Sequence, residues 1–102
     1  MSDSSGIICP KQSANTPEIV SAATALESNT ARAGWSIQNL GTNPLFVRLG
    51  DSASTTVFHV VLKAGTGNDD GLGGIISQSE GIIYTGIITI DGTSPRYTVM
   101  EL

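Results

Sequence analysis

The sequence predicts an all-β fold, a small β-sandwich or jelly-roll-like domain with an extended N-terminal arm. Three observations predict it. Apolar and polar residues alternate with period two in "GWSIQNL" and "PLFVRLG", the signature of half-buried strands. Short runs rich in Val, Ile, Thr, Tyr and Phe recur at spacings of about 8–12 residues, with Gly, Pro, Asn and Asp between them, as in a sandwich or small barrel. No segment after Arg32 shows a helical period.

Residues 1–31 read as the arm and residues 32–102 as the sandwich domain. The arm is rich in Ser, Ala, Asn and Thr, is broken by Pro10 and Pro17, and contains no aromatic residue. Its apolar groups are Ile7, Ile8, Ile19, Val20 and Leu26. A helix over Glu18–Ser28 would have Thr16 as N-cap and Pro17 at its first position. Against it, the β-branched Ile19, Val20 and Thr24 lose rotamer freedom in a helix, and so short a helix is marginal alone. The segment therefore reads as extended, with a strand near Glu18–Leu26.

In "GWSIQNL", Trp35 and Ile37 share one face, and Ser36 and Gln38 the other. After the turn cluster Gly41-Thr-Asn-Pro44, Leu45, Val47 and Leu49 share one face, and Phe46 and Arg48 the other. The two runs read as a β-hairpin joined by a loop of about four residues. "TVFHVVLKAG" follows as a strand with Phe58, Val60 and Leu62 on one side and Val57, His59, Val61 and Lys63 on the other. Both sides are substantially apolar, as in a strand between two layers. "AGTGNDDGLGG" is a loop. Gly81 and Gly86 then divide the chain into strands at Ile82–Tyr84 and Ile87–Ile90, and "PRYTVMEL" is the last strand, placing the end of the chain within a sheet.

Composition narrows the function classes. Charged residues make up only 14% of the chain and glycine contributes 12 residues. Few charges and many small polar groups suit a surface that meets other protein. The net charge is −4, and Lys11, Arg32, Arg48, Lys63 and Arg96 are spread singly. The basic footprint of a nucleic-acid binder is missing, and an anionic membrane is an unsuitable partner for the same reason. No apolar run approaches the roughly 18 residues that span a bilayer, and "MSDSSGIICPK" lacks the basic and apolar regions of a signal peptide. The chain reads as one made in the cytosol. Cys9 is the lone cysteine, so no intrachain disulfide forms.

No constellation announces catalysis, and the chain reads as a non-enzyme with no cofactor and no metal. His59 is the lone histidine, and no Gly-x-Ser-x-Gly elbow accompanies it. Gly65, Gly67 and Gly71 loosely suggest a dinucleotide loop, but no helix follows and Asp69-Asp70 would repel phosphate. Asn68, Asp69 and Asp70 could supply oxygen ligands to calcium, yet the spacing matches no calcium loop. That stretch reads as a flexible solvated loop that favours turns. Glu80, Asp91 and Glu101 are isolated along the sequence. Trp35 could stack on a sugar, but its alternating apolar neighbours place it in the core.

From Trp35–Leu49 through "KAGTGNDDGLGG" to "YTGIITIDGTSPRYTVMEL", about two thirds of the chain, the sequence resembles small virion proteins of tailed bacteriophages in style. No diagnostic motif carries the resemblance. It implies a β-sandwich or jelly-roll domain that binds and stabilises a capsid shell as a cement or decoration protein, held by the major capsid protein. It also implies a homo-oligomer, a trimer, located in the virion on the capsid surface. Ile7, Ile8, Ile19, Val20 and Leu26 are then the arm's partner-binding residues. The alternatives are another virion component, such as a tail- or fibre-associated β domain with exposed aromatics in its loops, and a carbohydrate-binding module with Trp35 or Tyr84 on an open face.

Overall fold

The computed structural model describes residues 18–102. They form eight strands: β1 (Glu18–Val20), β2 (Thr24–Leu26), β3 (Trp35–Asn39), β4 (Leu45–Leu49), β5 (Val60–Leu62), β6 (Ile75–Gln78), β7 (Ile88–Asp91) and β8 (Tyr97–Glu101). The strands make two four-stranded antiparallel sheets, sheet I in the order β1-β8-β3-β6 and sheet II in the order β2-β7-β4-β5.

The pairings reveal how the chain is wound. β1 pairs with β8, β2 with β7, β3 with β6 and β4 with β5, all antiparallel. These are the pairs of one long hairpin whose turn lies between β4 and β5. Rolling that hairpin on itself adds the pairs β3·β8 and β4·β7. The result is the eight-strand jelly-roll winding expected of the fold class.

Period-two alternation turns one face of each sheet inward. From sheet I come Trp35, Ile37, Tyr97 and Val99; from sheet II come Leu45, Val47, Leu62, Ile88 and Ile90. All nine are buried and meet in one core. Each contributes about 1.5–3 kcal/mol relative to exposure. The Tyr97 hydroxyl, driven to stay neutral by burial, donates to the Ala22 carbonyl at 2.6 Å.

The structure differs from the sequence reading in four places. β3 and β4 are not a hairpin, because they lie in different sheets. Asn39 makes this corner: its Oδ1 accepts from Gly41 N at 2.9 Å, and its Nδ2 donates to the carbonyls of Asn43, Leu62 and Lys63 at 2.9, 3.0 and 3.2 Å. β5 is a short edge strand with Val61 exposed, rather than one buried between two layers. Val57, Phe58 and His59 precede it outside any strand, because the Ser54 hydroxyl oxygen accepts from Thr56 N and Val57 N and holds a turn there. The strand of the next segment is Ile75–Gln78, ahead of Gly81, whereas Ile82–Tyr84 is irregular.

The fourth difference concerns the arm. Ile7 and Ile8 lie outside the described residues. The described part, from Glu18 onward, is built into both sheets, since β1 flanks β8 in sheet I and β2 flanks β7 in sheet II. A division between residues 31 and 32 therefore does not set it apart from the sandwich. Val20 and Leu26 pack against the core of their own chain, whereas Ile19 faces outward.

Candidate functional site

The outer face of sheet II carries an apolar patch. On β4, inward Leu45 and Val47 leave Phe46 and Arg48 outward. Phe46 stands directly opposite Val61 of β5 on one side and Asp91 of β7 on the other. The 50–59 connection then folds back over this face. Buried Thr89 anchors it, its hydroxyl donating to Gly50 O at 2.6 Å and accepting from Ala53 N at 3.1 Å. His59 continues the β4–β5 ladder: its amide donates to Val47 O at 2.8 Å, and its Nδ1 accepts from Leu49 N at 3.0 Å.

This anchoring brings Phe58 edge-on to Phe46, with ring centroids 5.1 Å apart and planes at 61°. Phe58 itself, Val61 opposite Phe46, and Val57 next to Phe58 in the chain are exposed. An aromatic pair with two exposed valines, bordered by Arg48 and Asp91, is an apolar centre with a charged rim. That is the composition of a protein-contact surface.

A second feature lies where β1 meets the turn before β8. Ile19, Val20, Ser21, Ser94, Pro95 and Arg96 line an open cleft of about 430 Å³. It holds two of the arm residues expected to bind a partner, although Val20 already packs inward. Its Arg96 is held by Asp69 through two bonds of 2.6 Å, Nε to Oδ1 and Nη2 to Oδ2. Arg96 in turn keeps the Asp69 carboxyl below the usual carboxylate range, chiefly by hydrogen bonding.

The 65–72 loop is not the flexible segment that its glycines suggest. Asp70 accepts from Leu72 N through Oδ1 and from Thr66 N, Thr66 Oγ1 and Gly67 N through Oδ2, at 2.8–2.9 Å. The Leu72 amide, then the Thr66 hydroxyl, leads the effects that lower the Asp70 pKa to about 2. With Asp69 bonded to Arg96 and Asp70 ringed by donors, both carboxylates are engaged in holding the loop. Among the described residues no group of three or more His, Cys, Asp or Glu side chains comes together, and no helix is long and apolar enough to cross a membrane.

No family model, curated protein or solved structure matches the chain.

The fold settles the place of several residues singled out in the sequence. Trp35 is 2% exposed, with its indole N–H donating to Gln78 Oε1 at 2.9 Å, so it offers no sugar-stacking face. Tyr84 is partly buried against the core. Glu101 does not stay isolated: it pairs with Arg32, 69 residues away. The Phe46–Phe58 patch is not visible in the alternation of "TVFHVV", which puts Phe58 on the same side as Val60 in a strand buried between two layers. The Ser54-x-Thr56 pair was the available signal for a turn there.

Proposed function

We propose that this protein is a structural virion component that binds the assembled capsid shell of a tailed bacteriophage and stabilises it, without catalysis. The observation that carries this reading is the Phe46–Phe58 pair, outward on a jelly-roll sheet, with exposed Val61 directly opposite Phe46 and exposed Val57 next to Phe58 in the chain. Contiguous apolar surface on a small domain marks a contact with other protein. The winding is one that viral capsid and lectin domains use, and the sequence resembles phage virion proteins in style. The partner this reading names is the major capsid protein.

A shell repeats its surface many times, so a weak contact per subunit suffices when neighbouring copies are present at high local concentration. Residues 1–17, if extended, would reach on the order of 60 Å, which would carry Ile7 and Ile8 well beyond the sandwich. In this reading Ile7, Ile8 and the outward Ile19 contribute to attachment, while Val20 and Leu26 support the sandwich.

One observation favours a second reading, a tail- or fibre-associated domain that touches the host surface: Phe58 is an exposed aromatic on a connection between strands. Binding to purified heads and to purified tails separates the two. Phe58→Ser and Val61→Ser should each weaken binding to heads without changing the fold. Binding to tails alone favours the second reading, and undiminished head binding by both variants removes the patch from the account.

A further inference from the structure

The two sheets have four outer strands, and three of them are guarded against strand addition. β1 begins with Glu18 directly after Pro17. β2 has a register irregularity between Thr24 and Leu26 and runs into Glu27. β5 is three residues long and runs into Lys63. Charge, proline, bulges and shortness are the devices that keep sheet edges from pairing. β6 carries no charge, proline or bulge: Ile75–Gln78 is uncharged, regular in register with β3, and free of proline, and at four residues it is one longer than each of the other three.

The hydrogen-bond phase of β6 is fixed by its neighbour. Asn39 N donates to Gly74 O at 2.9 Å. In an antiparallel ladder bonded pairs alternate, so Ile37–Ile76 and Trp35–Gln78 are the bonded pairs, and Ile75 and Ser77 point their backbone N–H and C=O away from β3. Among the described residues no strand lies on that side. Ile75 is 63% exposed within the strand, and the exposed Leu72 and Ile82, the latter 95% exposed, precede and follow it in the chain. The adjoining outer face of sheet I is neutral, with Thr98, Gln38 and Ile75 in one cross-strand row and Met100, Ser36 and Ser77 in the next.

We propose that β6 is a self-pairing edge, at which a second copy of this chain adds its own β6 antiparallel and joins the two copies of sheet I across a two-fold axis. With Ile76 on the axis, Ile75 faces Ser77 across it, and the outward donors of each copy meet the outward acceptors of the other. The phase of the edge selects a second copy as the occupant, because the outward groups of Ile75 and Ser77 complement those of Ser77 and Ile75 in a two-fold mate. Two chains of net charge −4 repel each other, so they associate best where both surfaces are neutral, and β6 with its adjoining rows is such a surface. A two-fold contact is self-complementary and closes at a dimer, in place of the trimer that the phage resemblance implies. The edge is short compared with the roughly 800 Å² per partner of a standard interface, so the dimer is concentration-dependent.

The test is sedimentation velocity over a series from micromolar to millimolar protein. The wild type should pass from monomer to dimer. Ser77→Pro removes an outward N–H while sparing the β3 ladder, and Ile75→Lys places a charge on each side of the axis. Each should abolish the dimer, with Trp35 fluorescence and the urea midpoint unchanged. Val61→Lys, on the other sheet, should leave the dimer intact. A wild type that stays monomeric throughout, a trimer, or a dimer that survives both β6 variants overturns the proposal. The outcome is separable from capsid binding: a monomer that binds heads removes β6 pairing alone, and a Ser77→Pro-sensitive dimer that ignores heads removes the capsid reading alone.

Discussion

The Arg32 guanidinium donates through Nε to Glu101 Oε2 at 2.8 Å, with the two side chains 0% and 7% exposed. The same guanidinium donates through Nη1 to the carbonyls of Tyr84 and Gly86 and through Nη2 to that of Glu27. One buried cation thus joins the segment after β2, the segment before β7 and the end of β8. A buried charge is tolerated only when it is paired and its remaining donors are satisfied, and here both conditions are met by residues far apart in sequence.

Arg32→Met should therefore destabilise the protein strongly, by about 3–5 kcal/mol, because it removes the guanidinium that serves a buried carboxylate and three carbonyls at once. Adding Glu101→Leu should restore only part of that loss, since the carbonyls remain unsatisfied. Urea unfolding of the two variants checks this. A single variant within experimental error of the wild type would contradict it.

Asn39→Leu should cost about 1–3 kcal/mol by orphaning the carbonyls that Asn39 serves at the corner between the sheets. Gly73→Ala should also destabilise, since an added Cβ would run into the Asn39 carbonyl. Thermal unfolding of both variants reads the effect.

Removal of residues 18–30 should weaken the sandwich itself. Compared with a chain trimmed at residue 17, a chain trimmed at residue 30 loses an outer strand from each sheet and the packing of Val20 and Leu26. Complete burial of each such side chain is worth about 1.5–3 kcal/mol, and these two are only partly buried. A lower urea midpoint for the shorter chain is expected. Equal midpoints would show that β1 and β2 contribute nothing to stability.

The 65–72 loop should loosen in acid. The Asp70 carboxyl, lowered to about 2 by the Leu72 amide and the Thr66 hydroxyl, contributes stability that is fully present above its ordinary value near 4. That contribution is lost as the pH falls toward 2, and the lowered Asp69 titrates in the same direction. Amide exchange at Thr66, Gly67 and Leu72 should quicken relative to the core over that window, and Asp70→Asn should show the faster exchange already at neutral pH.

The sequence revealed which residues face inward better than which strands pair. Alternation in Trp35–Asn39 and Leu45–Leu49 marks a buried face whether the two strands sit side by side or oppose each other across a core. The Asn39 hydrogen bonds hold the corner between the sheets, and Gly-Thr-Asn-Pro reads equally well as a hairpin turn. The alternating pattern of "TVFHVV" likewise runs past the true start of β5, because local bonds to the Ser54 hydroxyl outweigh strand propensity there. Val20 and Leu26 lie in a polar segment, and their packing follows from β1 and β2 bonding to β8 and β7, partners some 60 to 80 residues away. No local signal points to the Arg32–Glu101 pair.

The most direct measurement of the central claim compares heads assembled with and without this protein, titrated with purified chain and then heated. The account predicts saturable binding to heads, weakened by Phe58→Ser, and a higher temperature of head disruption when the protein is bound. Heads that bind none of it, or that break at the same temperature with and without it, would contradict the claim.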